Sequence, residues 1–121
     1  MASTHIHDIV IIGGGAAGIA TAASMLKRRP SLDIVIVEPA EDHFYQPGWT
    51  MVGGGICKAP QTRHTMASVM PKQAKWMRQA AASFQPDDNQ VTLADGTAVH
   101  YKVLVVAAGI RLAWEKIAGL E

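Results

Sequence analysis

Two runs of apolar residues in the first third of the chain predict buried β-strands. They cover residues 9–12 and 32–37, and both are rich in β-branched side chains. Between them, apolar residues recur at helical spacing and predict a helix over residues 16–28, which ends before Pro30. A strand, a helix and a strand within about thirty residues are typical of parallel strands joined by a crossover helix.

The middle of the chain has no regular pattern. Residues 39–65 hold several glycines and prolines, so we expect a long loop with a short helical piece near residues 50–52. The large apolar side chains of this loop argue against disorder. Residues 66–70 predict one or two helical turns, which end at Pro71.

The last third of the chain predicts a series of strands. They are residues 75–78, residues 80–85, a short strand around Val91 and Leu93, residues 97–101 and the apolar residues 103–109. Turn-forming residues separate them at 86–89 and at Asp95-Gly96. We therefore expect an antiparallel meander followed by a further buried strand.

The first predicted strand leads directly into a glycine motif. Gly13, Gly15 and Gly18 form the pattern G-x-G-x-x-G at the start of the predicted helix. A helix N-terminus offers unpaired N–H groups and the positive end of the helix dipole, which suit a pyrophosphate. Glu38 ends the second strand, twenty residues after Gly18, where a carboxylate can accept a hydrogen bond from a ribose hydroxyl. This arrangement predicts a dinucleotide site and favours FAD or NAD over NADP.

Composition and charge exclude several classes of partner. The chain has 121 residues, of which 49% are hydrophobic, and its 11 basic and 10 acidic residues give a net charge of +1. This length allows one domain at most. Nucleic acid is not expected as a partner, because the basic residues form no stripe or run. No apolar stretch reaches the ~20 residues that span a bilayer, and the amino terminus carries no targeting signal, so we expect a cytoplasmic location.

Several segments resemble one family of flavoproteins over essentially the whole chain. Residues 43–53 resemble the Y-Q-P-x-W-T-x-V-G segment of the sulfide:quinone oxidoreductases, with Gly48 where an apolar residue is usual. The resemblance continues through residues 70–76, residues 86–93 and residues 105–120. The glycine motif is common to many flavoproteins, whereas the segment with Tyr45, Pro47 and Trp49 is more specific.

The resemblance implies a fold, a cofactor and a reaction. The family belongs to the two-dinucleotide-binding flavoproteins of the pyridine nucleotide-disulfide oxidoreductase superfamily. Its fold is α/β and Rossmann-like, an FAD/NAD(P)-binding fold whose parallel sheet has helices on one face and a three-stranded antiparallel meander on the other. The implied reaction oxidises sulfide and passes electrons through FAD to a quinone. Since residues 43–49 contain no cysteine, the FAD is expected to be non-covalent.

The same resemblance implies a set of cofactor-binding residues. Those expected at the pyrophosphate are Gly13, Gly15, Ala16, Ala17, Gly18, Ala107, Ala108 and Gly109. Those expected at the adenosine are Glu38, Pro39 and the backbone of Ala81, while Gln46 and Pro47 are expected to lie along the cofactor toward the flavin.

No catalytic or metal-binding residue is predicted within this chain. The family uses a pair of cysteines, and Cys57 is the only cysteine here, so we interpret it as a bystander thiol. His5 and His7 flank the start of the first strand and can share one face. We expect no third carboxylate or cysteine near them, and therefore no metal site.

The family is several times longer than this sequence. We therefore expect residues 1–121 to be the truncated, catalytically incomplete amino-terminal part of an FAD-binding domain, without the second nucleotide-binding domain and the carboxy-terminal region. Peripheral association with the inner membrane is expected for the full-length parent. An uncovered sheet surface predicts a homo-oligomer. Two alternatives stay open, namely a type II NADH:quinone oxidoreductase-like flavoprotein and a non-enzymatic nucleotide-binding module.

Overall fold

The computed structural model describes residues 3–120, which form one six-stranded sheet, one two-stranded sheet and three helices. The strands are β1 (Ile6–Ile12), β2 (Ile34–Val37), β3 (Asp42–Phe44), β4 (Arg63–Thr65), β5 (Lys75–Met77), β6 (Ala81–Gln85), β7 (Gln90–Leu93) and β8 (Ala98–Val106). The helices are α1 (Ala16–Arg28), α2 (Gly48–Gly53) and α3 (Met66–Val69), and short 3₁₀ turns cover Ala59–Thr62, Pro86–Asp88 and Trp114–Lys116.

The six-stranded sheet is mixed and has the order β5-β2-β1-β8-β7-β6. Strands β5, β2, β1 and β8 run parallel, while β8, β7 and β6 pair antiparallel and form the meander. Ile9 in β1 pairs with Ile34 in β2 on one side and with Val103 in β8 on the other. Because β1 is central, its carboxyl end lies beside those of β2 and β8, and this edge carries the glycine loop.

Alternating side chains of β1 and β2 divide the core into two layers. Four isoleucines of these strands face α1, where Ile9, Ile11, Ile34 and Ile36 pack against Ala22 and Leu26. The opposite face packs under the meander, where Val10, Ile12, Val35 and Val37 meet Val91, Leu93, Val99 and Tyr101. Each large side chain buried in this way contributes about 1.5–3 kcal/mol to folding. The predicted fold, with a helix on one face and a meander on the other, is confirmed.

The two strands predicted at residues 97–101 and 103–109 are one continuous strand, β8. Lys102 interrupts the apolar pattern, but its exposed Nζ pairs with the carboxylate of Asp8 at 2.7 Å and the backbone pairing continues. His100 pairs with both β1 and β7, whereas the second half of β8 pairs with β1 alone among the described residues. Val103 and Val106 are 51% and 62% exposed there, and self-association through this surface stays a prediction.

The long loop at residues 39–65 contains a two-stranded ribbon that the sequence pattern did not indicate. Strands β3 and β4 pair antiparallel, with His43 opposite His64. The predicted helical piece at residues 50–52 lies within α2. His43 is buried, and its Nδ1 donates to the carbonyl oxygen of Gly14 at 3.2 Å. This contact ties the loop to the glycine motif. Within residues 3–120, the helices are too short or too polar to cross a membrane.

Candidate functional site

The glycine loop between β1 and α1 depends on two close backbone contacts. Gly13 has φ +108°, and a Cβ added to it would lie 2.2 Å from the carbonyl oxygen of Ala107. A Cβ on Gly18 would lie 1.9 Å from the carbonyl oxygen of Gly13. Hydrogen bonds from Gly13 N–H to Val37 O (2.9 Å) and from Ala107 N–H to Ile12 O (2.7 Å) complete the junction. The carboxyl ends of β1, β2 and β8 and the start of α1 are therefore in direct backbone contact with one another.

Gly15 has a different environment from the other two motif glycines. It is the N-cap of α1, with φ −73° and ψ −172°, and no atom lies within 4 Å of a Cβ built on it. The first turn of α1 has neither a side-chain cap nor an acidic residue. The first N–H groups of an α-helix have no intrahelical acceptor, and the helix dipole adds partial positive charge there. An anion can therefore approach the start of α1 without obstruction.

Glu38 lies at the carboxyl end of β2, beside this loop. One oxygen of its carboxylate accepts from Gly14 N–H at 2.7 Å, and the other accepts from Ala40 N–H at 2.8 Å. The indole N–H of Trp76 donates to the carbonyl oxygen of Glu38 at 2.9 Å and holds the backbone in place. An ionised carboxylate has about four acceptor positions, so Glu38 keeps capacity for a further donor.

Two adjoining cavities open at this edge of the sheet. The first, about 360 Å³, contacts Gly13, the residues that follow β2, the start of β6 and the end of β8. The second, about 420 Å³, lies at the start of α1 between the loop that follows β3 and the segment after β8. They adjoin because Gly13 and Ala108 line one while Gly15 and Ala107 line the other. Both volumes are typical of ligand pockets.

Twelve of the thirteen predicted cofactor residues line these cavities. The first is lined by Gly13, Glu38, Pro39, Ala81 and Ala108, and the second by Gly15, Ala16, Ala17, Gln46, Pro47, Ala107 and Gly109. Gly18 lines neither, because it packs against Gly13. Whether these residues bind a cofactor stays a prediction.

Some lining residues were not predicted as site residues. Phe84 and Ala80 belong to the first cavity, and Phe44 and Ile110 to the second. Phe84 is 45% exposed and Ile110 is 85% exposed, so both present apolar surface to solvent. Ile110 directly follows the predicted residue Gly109, and Phe44 lies two positions before Gln46. This proximity in the family-like segments was the available signal.

A further cavity of about 490 Å³ lies away from the glycine loop. It lies between the carboxyl end of α1 and the strands β1 and β8, and Arg28, Arg29 and Lys102 contribute to its lining. The exposed apolar part comes from Met25, Leu32 and the edge residue Val103. Cavity volume alone therefore does not identify the candidate site. The site is identified by the motif residues that line the two cavities at the glycine loop.

The expectation of no carboxylate near His5 and His7 is wrong. Asp33 lies at the start of β2, and its Oδ2 is 2.6 Å from His5 Nε2 and 2.8 Å from His7 Nδ1. The parallel register of β1 and β2 brings these residues together across 26 positions or more of sequence. Cys57 is half-buried and lines neither cavity at the glycine loop.

A family model described as pyridine nucleotide-disulphide oxidoreductase matches residues 7–121. The chain belongs to this family. The match includes the glycine loop, Glu38 and the end of β8, which together form the edge of the sheet where the two cavities open. Membership of the family implies a flavin cofactor.

The chain is also similar to individual sulfide:quinone oxidoreductases. It is 41% identical over 118 residues to the mitochondrial enzyme of Dictyostelium discoideum, and 39% identical over 114 residues to that of Mus musculus. These alignments cover 97% and 94% of this chain but 26% and 25% of the relatives. The crystal structure of the Aquifex aeolicus sulfide:quinone oxidoreductase superimposes with a TM-score of 0.77 at 30% identity, over 88% of this chain and 25% of that one. The chain thus spans about a quarter of the length of these relatives.

Proposed function

We propose that this chain binds FAD non-covalently and supplies the amino-terminal part of the cofactor site of a sulfide:quinone oxidoreductase-like flavoenzyme. The observation that carries the proposal is the meeting of five separate segments at two adjoining cavities beside an uncapped helix start. When bound, the flavin supplies reversible two-electron transfer, here from sulfide to a quinone. A membrane quinone as acceptor would place the parent protein at a membrane surface.

The start of α1 is the proposed site of the pyrophosphate. The open space beside Gly15 allows phosphate oxygens to come within hydrogen-bond distance of the N–H groups of Ala16 and Ala17. Gly13 allows the tight turn that brings Ala107 next to the loop. The start of α1 therefore has room for an anionic group, because residue 15 has no side chain that would occupy the space.

The first cavity is the proposed site of the adenosine. Two backbone N–H groups hold the carboxylate of Glu38 in place. Its remaining acceptor positions accept hydrogen bonds from the ribose hydroxyls. Pro39, Ala81 and Phe84 provide apolar surface for a flat adenine ring. In the second cavity, Gln46 and Pro47 extend the site from the pyrophosphate toward the flavin. None of these side chains is assigned a step in sulfide oxidation.

The bound cofactor itself is the direct test of this proposal. A tag-free chain is purified without added cofactor and denatured, and any released nucleotide is identified by mass and visible spectrum. We expect FAD, either co-purified or taken up on reconstitution in a one-to-one ratio. Recovery of NAD or AMP instead would favour an NADH-dependent flavoprotein or a nucleotide-binding module. A chain that stays empty when FAD is added contradicts the proposal.

Glu38 is expected to select against a phosphate on the adenosine ribose. The wild-type chain should bind AMP more tightly than adenosine 2′,5′-bisphosphate, because the carboxylate repels a 2′-phosphate and accepts from a free 2′-hydroxyl. Glu38→Gln removes the charge and should weaken AMP binding about tenfold, since a hydrogen bond to a charged group contributes about 1.5–3 kcal/mol. Calorimetric titration with both nucleotides measures the ratio of the two affinities. An unchanged ratio in Glu38→Gln would contradict the role given to Glu38.

A further inference from the structure

Three side chains that can coordinate a metal meet at the end of the sheet opposite the glycine loop. His5 and His7 stand on either side of Ile6 at the amino end of β1, so their side chains share one face of the strand. Asp33 immediately precedes β2, which pairs parallel to β1 with Ile9 opposite Ile34. The two cavities at the glycine loop lie at the carboxyl ends of the same strands. The cluster is therefore independent of the proposed FAD site.

The three side chains converge on a single point. His5 Nε2 and His7 Nδ1 lie 2.6 Å and 2.8 Å from the same atom, Oδ2 of Asp33. All three candidate ligand atoms lie within 4.8 Å of one another. In a tetrahedral zinc site with bonds of about 2.0–2.2 Å, neighbouring ligand atoms are about 3.3 Å apart. Small side-chain shifts would therefore convert the hydrogen-bonded cluster into a coordination triangle.

Contacts with the neighbouring strands β1 and β5 orient the carboxylate of Asp33. Lys75 Nζ contacts the other oxygen, Oδ1, at 3.0 Å, which leaves Oδ2 for the histidines. The backbone N–H of Asp33 donates to the carboxylate of Asp8 at 3.0 Å and fixes the residue at the start of β2.

The cluster is anchored on one side and open on the other. The side chain of His7 is 9% exposed and that of Asp33 is 25% exposed, whereas that of His5 is 65% exposed. Two ligands are thus positioned by the fold, and His5 closes the triangle from the solvent side. This leaves a fourth coordination position for water, as in zinc sites with three protein ligands.

We propose that His5, His7 and Asp33 form a three-ligand site for a divalent transition-metal ion, with zinc as the occupant. Two imidazoles and one carboxylate suit zinc, whereas magnesium and calcium prefer all-oxygen ligand sets. On binding, each imidazole nitrogen that donates to Asp33 gives up its hydrogen and bonds to the ion through the lone pair. A neutral imidazole does so by carrying the hydrogen on its other ring nitrogen, and an imidazolium does so by releasing a proton to solvent. The ion would join the amino-terminal segment to the start of β2 and so stabilise the fold.

The test is zinc binding by the tag-free chain, measured by competition with a chromogenic chelator and by the melting temperature. We expect one zinc ion per chain and a melting temperature that rises with zinc concentration. Cobalt should give the visible absorption of a four-coordinate site. His5→Ala should weaken zinc binding more than about 100-fold. This loss exceeds the effect of removing a residue that only hydrogen-bonds to a metal ligand. Because His5 is exposed, this variant should keep the wild-type melting temperature without metal.

Two further variants separate the proposed site from general histidine binding. His64→Ala removes another exposed histidine, on β4, and should leave the affinity for zinc unchanged. Lys75→Met removes the cation beside Asp33 and should raise the affinity several-fold, because the lysine repels the metal ion. Wild-type affinity in His5→Ala would overturn the proposal. So would an equal loss of affinity in His5→Ala and His64→Ala.

Discussion

Replacing Gly18 with alanine is expected to destabilise the chain by about 3 kcal/mol or more, at the upper end of overpacking effects. The added Cβ would lie 1.9 Å from the carbonyl oxygen of Gly13 and 3.4 Å from Ile11 Cγ2. The obstructing atom belongs to the backbone at the junction of β1 and α1, so no side-chain rotation relieves the contact. Thermal unfolding followed by circular dichroism should show a melting temperature lower by roughly 10 °C or more.

The sign of this effect distinguishes a packing role from ordinary helix propensity. In an unobstructed helical position, alanine is about 1 kcal/mol more favourable than glycine. Gly53, the last residue of α2, provides the matched control, because no atom lies within 4 Å of a Cβ built on it. Gly53→Ala should therefore be neutral or slightly stabilising. Equal melting temperatures for Gly18→Ala and wild type would mean that α1 does not pack against the glycine loop at this distance.

The first half of the main sheet was predictable because its signals are local. The apolar run of β1, the helical spacing of α1 and the apolar run of β2 each lie within one short window, and the observed bounds differ by few residues. The ribbon of β3 and β4 was not predictable in this way. Its strands have three residues each, those of β4 are all exposed, and eighteen residues separate them. Pairing of such strands depends on tertiary contacts, here the bond from His43 to Gly14.

For a related reason, the site at the glycine loop could be predicted from the sequence and the cluster of His5, His7 and Asp33 could not. Gly13, Gly15, Gly18 and Glu38 have a spacing that many proteins share, so they could be named from the pattern alone. The other predicted residues around the glycine loop were implied by the resemblance to the family. The cluster of His5, His7 and Asp33 carries no such spacing, because Asp33 lies just before the next strand of the chain. It becomes visible only through the register that places Ile34 opposite Ile9. Likewise, β8 continues through Lys102 because backbone pairing with β1 does not require an apolar side chain.

The motif glycines thus act in two ways, and the difference can be measured. Gly13 and Gly18 allow backbone atoms of the protein to approach one another, so a side chain there disturbs the fold. Gly15 faces open space and has extended backbone angles that any residue adopts. A side chain at Gly15 should therefore leave the fold intact and fill the space proposed for the pyrophosphate.

Gly15→Val is accordingly expected to abolish nucleotide binding while leaving the free energy of unfolding within about 1 kcal/mol of wild type, the size of an N-cap effect. The valine methyl groups would stand where phosphate oxygens must approach the N–H groups of Ala16 and Ala17. Since hydrogen bonds to charged groups contribute about 1.5–3 kcal/mol each, affinity should fall at least about 100-fold. Calorimetric titration with ADP, which contains the pyrophosphate and the adenosine, measures the loss without requiring the flavin.

Gly53→Val is the matched control for this prediction, because it adds the same side chain at an open glycine that lines neither cavity. Its affinity for ADP should equal that of wild type. Wild-type affinity in Gly15→Val would mean that the start of α1 does not hold the phosphates, and the proposed FAD site would fail with it. Loss of binding together with loss of folding would show instead that residue 15 is packed as tightly as residue 18. Binding lost with the melting temperature retained is the result that the open space at Gly15 predicts.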